Sequence, residues 1–76
     1  MLRYQTLDGK PLEADSLRGI AEALWHLMFD PPPTLEEWMQ GSARRAKDWN
    51  GAIVRTSSAE DHVRDLIEAG ILTPLD

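Results

Sequence analysis

Histidine is the side chain best suited to acid–base work near neutral pH. This chain has two, His26 and His62. Neither belongs to an H-x-x-x-H or H-x-E metal-binding pattern. His26 falls on the polar face of a helical segment and His62 beside the apolar stripe of another, so both read as surface or boundary residues. Carboxylates adjoin at Glu36-Glu37 and at Glu60-Asp61. A carboxylate dyad for general acid and base catalysis needs a cleft that pushes the two pKa values apart. Both pairs instead fall in first turns of helices, where capping and the helix dipole account for them. Gly9, Gly19, Gly41, Gly51 and Gly70 never cluster into a phosphate-cradling loop. No serine stands in a nucleophile elbow. The chain has no cysteine, which excludes disulfides, thiolate catalysis and cysteine-ligated zinc. No catalytic residue, metal ligand or cofactor site is expected.

What remains is binding chemistry. Arg44, Arg45 and Lys47 form the one concentration of positive charge, and Arg55 follows close behind. On a helical wheel Arg44 points outward. Arg45 falls beside Trp38 and Trp49, and Lys47 points towards Glu36 and Gln40, so the cluster is not one coherent stripe. Two readings stand. The cations complement the helix dipole, with an Arg44–Asp48 pair worth roughly 0.2–0.5 kcal/mol. Alternatively they form a contact patch for an acidic protein or a phosphate, with Arg45 stacked between tryptophans. Trp and Arg dominate interface energies where they are buried at a contact. The three tryptophans, Trp25, Trp38 and Trp49, all fall at stripe edges. They roof a thin core, or one or more of them faces a partner or a symmetry mate. The expected protein-binding residues are Trp38, Arg44, Arg45, Lys47, Trp49 and Arg55. A second candidate surface is acidic: Glu22, Glu60, Asp61, Asp65, Glu68 and Asp76. Arg64 dilutes it by pairing with Glu60 and Glu68 at i,i±4 spacing.

Composition sets the frame for these residues. Seventy-six residues make one domain, residues 1–76, and a core of that size rarely supplies more than roughly 3–5 kcal/mol. The hydrophobic fraction of 42% suits a globular chain and not a disordered one. No apolar run approaches the length of a membrane span. Met1 leads straight into the alternating run Leu2-Arg3-Tyr4-Gln5 with no leader pattern. The chain reads as complete and cytoplasmic. A formal net charge of -5 opposes general nucleic-acid binding, which requires a positive field to replace counterions. It suits a basic protein partner, or solubility alone.

The elements that must position these residues are legible in order. Leu2, Tyr4 and Thr6 alternate with Arg3 and Gln5. Asp8-Gly9 follows, then Lys10-Pro11-Leu12-Glu13-Ala14, which reads as a β-hairpin closed by a type I′ turn. Pro11 lacks an N–H, so its strand should be short or lie on an edge. A first helix runs from Ser16 to Met28, capped by Asp15 or Ser16. Its core stripe is Leu17, Ile20, Ala21, Leu24, Leu27 and Met28, with Gly19, Glu22 and His26 opposite. Asp30-Pro31-Pro32-Pro33 ends it and serves as a rigid linker. Thr34 with Glu37 is a capping box that opens a second helix at Leu35. That helix buries Leu35, Met39, Ser42, Ala43 and Ala46, and Asn50-Gly51 stops it. Ala52-Ile53-Val54-Arg55-Thr56 reads as a short strand. Ser57 with Glu60, or Ser58 with Asp61, caps a third helix, whose stripe is Ala59, Val63, Leu66 and Ile67 and which Gly70 ends. Ile71-Leu72-Thr73-Pro74-Leu75 reads as a last short strand or as an extended tail on the core. The fold class is α+β, in the order β-β-α-α-β-α with or without a final strand.

One stretch also carries a resemblance. It comprises Leu35-Glu36-Glu37-Trp38-Met39-Gln40-Gly41, Arg44-Arg45, Gly51, Ile53, Arg55-Thr56, Ser58-Ala59-Glu60, Val63-Arg64-Asp65-Leu66-Ile67 and Gly70-Ile71-Leu72. From Thr34 to Leu72, about half the chain, it resembles small proteins of phages and integrated mobile elements. That resemblance carries no catalytic motif and no functional residue across. It implies a host-interaction role, of which inhibition of bacterial CRISPR–Cas defence, the anti-CRISPR type, is one populous class. The expectation is a non-enzymatic phage or mobile-element protein that binds and inhibits a host protein complex in the host cytosol, such as a type I Cas surveillance complex. The alternatives are a small regulatory module contacting nucleic acid through Arg44, Arg45, Lys47 and Arg55, or a structural module that dimerises through its tryptophan edges. The chain itself is expected to be a monomer or a homodimer, with no membrane association.

Overall fold

The alternation of the first fourteen residues becomes a two-stranded ribbon. A computed structural model describes residues 1–75. Strand β1 (Leu2–Gln5) pairs antiparallel with β2 (Pro11–Ala14), bringing Leu2 opposite Ala14, Arg3 opposite Glu13 and Tyr4 opposite Leu12. The period of two puts Leu2, Tyr4, Leu12 and Ala14 on the core side. Arg3 and Glu13 face away and meet at 3.0 Å across the strands. Pro11 lies on the edge strand, as its missing N–H requires.

The turn differs from the expected type I′. That type needs positive φ at both central residues, and Asp8 has negative φ. Gly9 N–H donates to Thr6 C=O at 3.0 Å, and Thr6 N–H donates to Lys10 C=O at 2.9 Å. With Gly9 at φ 85, the loop is a type I turn extended by one left-handed residue. The Thr6 side chain selects it. Its hydroxyl bonds the Asp8 carboxylate and accepts the Lys10 N–H, which pulls the Asp8 carboxyl below its ordinary pKa.

Three helices follow: α1 (Leu17–His26), α2 (Leu35–Asn50) and α3 (Ala59–Glu68). Each starts on a side-chain oxygen that satisfies an orphan backbone donor. Ser16 Oγ accepts from Gly19 N–H, Thr34 Oγ1 from Glu37 N–H and Ser58 Oγ from Asp61 N–H, all at 3.1 Å. Helix α1 is shorter than expected and ends at His26. Leu27, assigned to its core stripe, is exposed. The triple proline then crosses to α2 and is anchored by Trp25, whose Nε1 donates to Pro32 C=O at 2.8 Å. Gly19, assigned to the polar face of α1, instead faces β2. A Cβ there would lie 2.8 Å from Ala14 Cβ. Helix α3 closes in a Schellman arrangement: Ile71 N–H reaches Leu66 C=O at 3.0 Å, and Gly70 N–H reaches Ile67 C=O at 3.1 Å.

Residues 52–56 do not form the expected strand. The order is β-β-α-α-α-β, and the sheet order is β2-β1-β3. Strand β3 (Thr73–Pro74) takes the open edge of β1, so the tail is a strand, and Leu75 N–H adds a bond to Arg3 C=O at 2.8 Å. Both edges of β1 are therefore occupied. The backbone of 52–56 is satisfied by side chains instead of a ladder. Asn50 Oδ1 accepts from Ala52 N–H at 3.0 Å, Asp65 Oδ2 from Arg55 N–H at 2.9 Å, and His62 Nδ1 lies 2.7 Å from Arg55 C=O.

Helix α1 is the hub. It packs on β2 and on α3, while α2 lies against both α1 and α3. The core joins Leu12, Ile20, Ala21, Leu35, Trp38, Met39, Ala46, Val54, Val63, Leu66 and Leu72. Fully burying each of Ile20, Val63 and Leu72 contributes roughly 1.5–3 kcal/mol. Among the described residues no helix is long and apolar enough to cross a membrane.

Candidate functional site

Helix α2 carries two different surfaces, one on each side of its buried stripe. The first is a groove of about 500 Å³. Its walls come from the hairpin loop (Thr6, Leu7, Asp8), α1 and its exit (Leu24, Met28), α2 (Trp38, Ser42, Arg45, Trp49) and the chain after α3 (Ile71, Leu72). The lining is mainly apolar. Leu7 and Trp49 are more than half exposed at its rim.

Trp38 belongs to the floor. It was expected at a stripe edge among the contact residues, yet only 4% of it is exposed. Its indole packs edge-on against His62, with ring centroids 5.2 Å apart. His62 was read as a surface or boundary residue, but it is fully buried. Its two ring nitrogens explain how an imidazole is tolerated there. Nδ1 faces Arg55 C=O, which only accepts, so Nδ1 carries the proton. Nε2 then accepts from the Ser42 hydroxyl at 2.9 Å. Loss of hydration on burial depresses the imidazole pKa, outweighing the Arg55 carbonyl and Asp65, which favour protonation; Arg45 adds to the depression. The ring is held neutral. Ser42 and His62 have the atoms of a nucleophile–base pair, but no carboxylate receives the Nδ1 proton to balance a charged imidazolium. The pair ties α2 to α3. A polar side chain on an otherwise apolar stripe, as Ser42 is, was the one sequence signal for this contact.

Arg55 is likewise drawn out of the expected cluster. Its Nε and Nη2 donate to the two oxygens of Asp65, each at 2.9 Å, and Asp61 lies 3.6 Å from Nη1. The fork holds the Asp65 carboxyl down at about 2, chiefly through these side-chain bonds. Arg55 therefore fastens the 52–56 segment to α3.

The second surface is a shallower depression lined by Ala43, Arg44, Lys47, Ala52, Ile53 and Val54. Ile53 is 80% exposed. Lys47 was expected to point towards Glu36 and Gln40. On the continuous helix α2 that side also holds Arg44 at i,i+3, and Arg45 alone of the three cations turns to the groove. The expected Arg44–Asp48 pair is not formed among the described residues, and Arg64 pairs with Asp61 at 3.4 Å in place of Glu60 and Glu68. Charge is thus segregated. Among the described residues Arg3, Lys10, Arg18, Arg55 and Arg64 each meet a carboxylate. The three Arg and Lys side chains without one among the described residues, Arg44, Arg45 and Lys47, are all on α2. Comparison with protein-family models, with curated proteins and with solved structures yields no match.

The acidic surface is interrupted by the same pairings. Glu22 is engaged by Arg18, and Asp61 and Asp65 by Arg55. Asp76 lies outside the described residues. No group of three or more His, Asp or Glu among the described residues is arranged to hold a metal ion.

Proposed function

We propose that this chain is a non-enzymatic accessory protein that binds and inhibits a host protein complex through the outer side of α2. The observation that carries the reading is the segregation of unpaired charge. In a chain of net charge -5, the Arg and Lys side chains left without carboxylates among the described residues are collected on one helix, and two of them line a depression with the exposed Ile53. A cationic pair around an apolar knob fits an acidic protein surface with an apolar socket. The finer assignment, inhibition of a type I Cas surveillance complex by a phage or mobile-element protein, rests on the resemblance of residues 34–72.

The test is co-purification of the tagged chain with that complex, combined with a phage-interference assay in cells that express it. The wild-type chain co-purifies and restores plaques. An Arg44→Glu/Lys47→Glu double variant, changed at two exposed positions, does neither. Unchanged interference and no co-purification with the wild-type chain overturn the assignment. Should the same two residues instead support DNA binding that falls steeply with salt, the chain is a nucleic-acid module.

A further inference from the structure

The groove face has a feature that the basic depression does not share. Among the described residues six large hydrophobic side chains are exposed, and four of them, Leu7, Leu27, Phe29 and Trp49, either line the groove or adjoin a lining residue in the chain. Leu7 and Trp49 line it. Leu27 and Phe29 flank Met28, which also lines it. Phe29 stands wholly in solvent, at 104% exposure. A two-fold, isologous contact requires a knob near a socket, so that the knob of each copy enters the socket of the other. A volume of about 500 Å³ is within the range of roughly 300–1,000 Å³ that accommodates bulky apolar groups.

Charge supports the same occupant. Asp30 follows Phe29 directly and is exposed, with no cation beside it among the described residues. Arg45 lines the socket and meets no carboxylate among the described residues. The other charged residue of the lining, Asp8, is already engaged by Thr6 and Lys10. Seating Phe29 in a second copy's groove brings Asp30 to that copy's unpaired Arg45, and the two-fold repeats the pair. We infer that the groove is a homodimer interface in which Phe29 of each copy fills the groove of the other and Asp30 pairs with the opposite Arg45. The dimer leaves Arg44, Lys47 and Ile53 free on both copies, so it neither depends on the proposed host contact nor competes with it.

Sedimentation velocity over a wide concentration range tests this, with circular dichroism to confirm folding. The wild-type chain moves from 8.6 kDa to twice that mass as concentration rises. Phe29→Ser, Asp30→Arg and Arg45→Asp each weaken association about tenfold or more. The decisive arm mixes two variants. Asp30→Arg alone and Arg45→Asp alone oppose like charges, whereas an equimolar mixture restores both opposite pairs and forms a heterodimer. A wild-type chain that stays monomeric at the highest concentration overturns the inference. So do single charge variants that dimerise like wild type, or a mixture that gains no mass.

Discussion

Ser42 Oγ and His62 Nε2 lie 2.9 Å apart on neighbouring helices, inside the core. The bond is obligatory for both partners, because Nδ1 is already committed to Arg55 C=O. Ser42→Ala leaves a buried acceptor without its donor. The expected cost is about 1–3 kcal/mol, a loss of roughly 4–8 °C in Tm for each kcal/mol in a domain of this size. Ser42→Thr, which keeps the hydroxyl, loses less. Urea titrations of the two variants decide it, and equal stability of Ser42→Ala and wild type would remove the bond from the account.

Stability should fall in two steps as the solution is acidified. The buried His62 has a pKa below its ordinary 6.5, mainly through lost hydration. An unfolded chain therefore binds a proton around pH 6.5 that the folded chain does not, so the His62 contribution is complete above pH 6.5 and declines below it. Asp65 is held at about 2 against an ordinary 3.8, so its contribution is present above pH 3.8 and is lost as pH falls towards 2. The urea midpoint followed against pH should show both steps. The first is absent from His62→Gln and the second from Asp65→Asn.

Asp65 also controls a local opening. It accepts from the backbone N–H of Arg55 and from Nε and Nη2 of its guanidinium, and residues 52–56 have no strand partner among the described residues. Asp65→Ala should speed amide exchange at Val54, Arg55 and Thr56 several-fold while leaving β1 and β2 unchanged. Uniform acceleration across the chain would show that Asp65 acts on global stability instead.

Gly19→Ala tests the contact between α1 and β2. Alanine is favoured over glycine inside a helix by about 1 kcal/mol, so propensity alone predicts a gain. The new Cβ would lie 2.8 Å from Ala14 Cβ, and overpacking of this kind costs typically 1–3 kcal/mol. The net change should be destabilising. Ala14→Gly combined with Gly19→Ala should recover part of the loss, which thermal unfolding of the three variants measures.

The local elements were largely legible in the residues, because their signals are local. Thr34 and Ser58 precede acidic residues at the capping spacing, Gly51 and Gly70 end their helices, and the alternation of Leu2, Tyr4, Leu12 and Ala14 marks the ribbon. The failures are places where a distant group decides. Residues 52–56 have strand-forming side chains, but β3 had taken the sheet edge and Asp65 and His62 had taken the backbone. The hairpin turn followed the Thr6 hydroxyl and not the Asp-Gly pair. Gly19 fell on the wrong face because β2 approaches α1 where no side chain intervenes. Of the residues expected at the binding surface, Arg44, Arg45, Lys47 and Trp49 are exposed on α2, Trp38 is in the core, and Arg55 fastens the 52–56 segment to α3. Wheel geometry could not separate these outcomes, since each depends on what another helix brings opposite.

The three tryptophans occupy three unlike environments: Trp25 hydrogen-bonded to the proline linker, Trp38 against His62, and Trp49 more than half exposed at the groove rim. The molecule thus has built-in optical reporters. Trp38 emission should register protonation of the neighbouring imidazole, and Trp49 emission should shift when the groove is covered. Single-tryptophan variants would then separate an event in the core from an event at the surface without any added label.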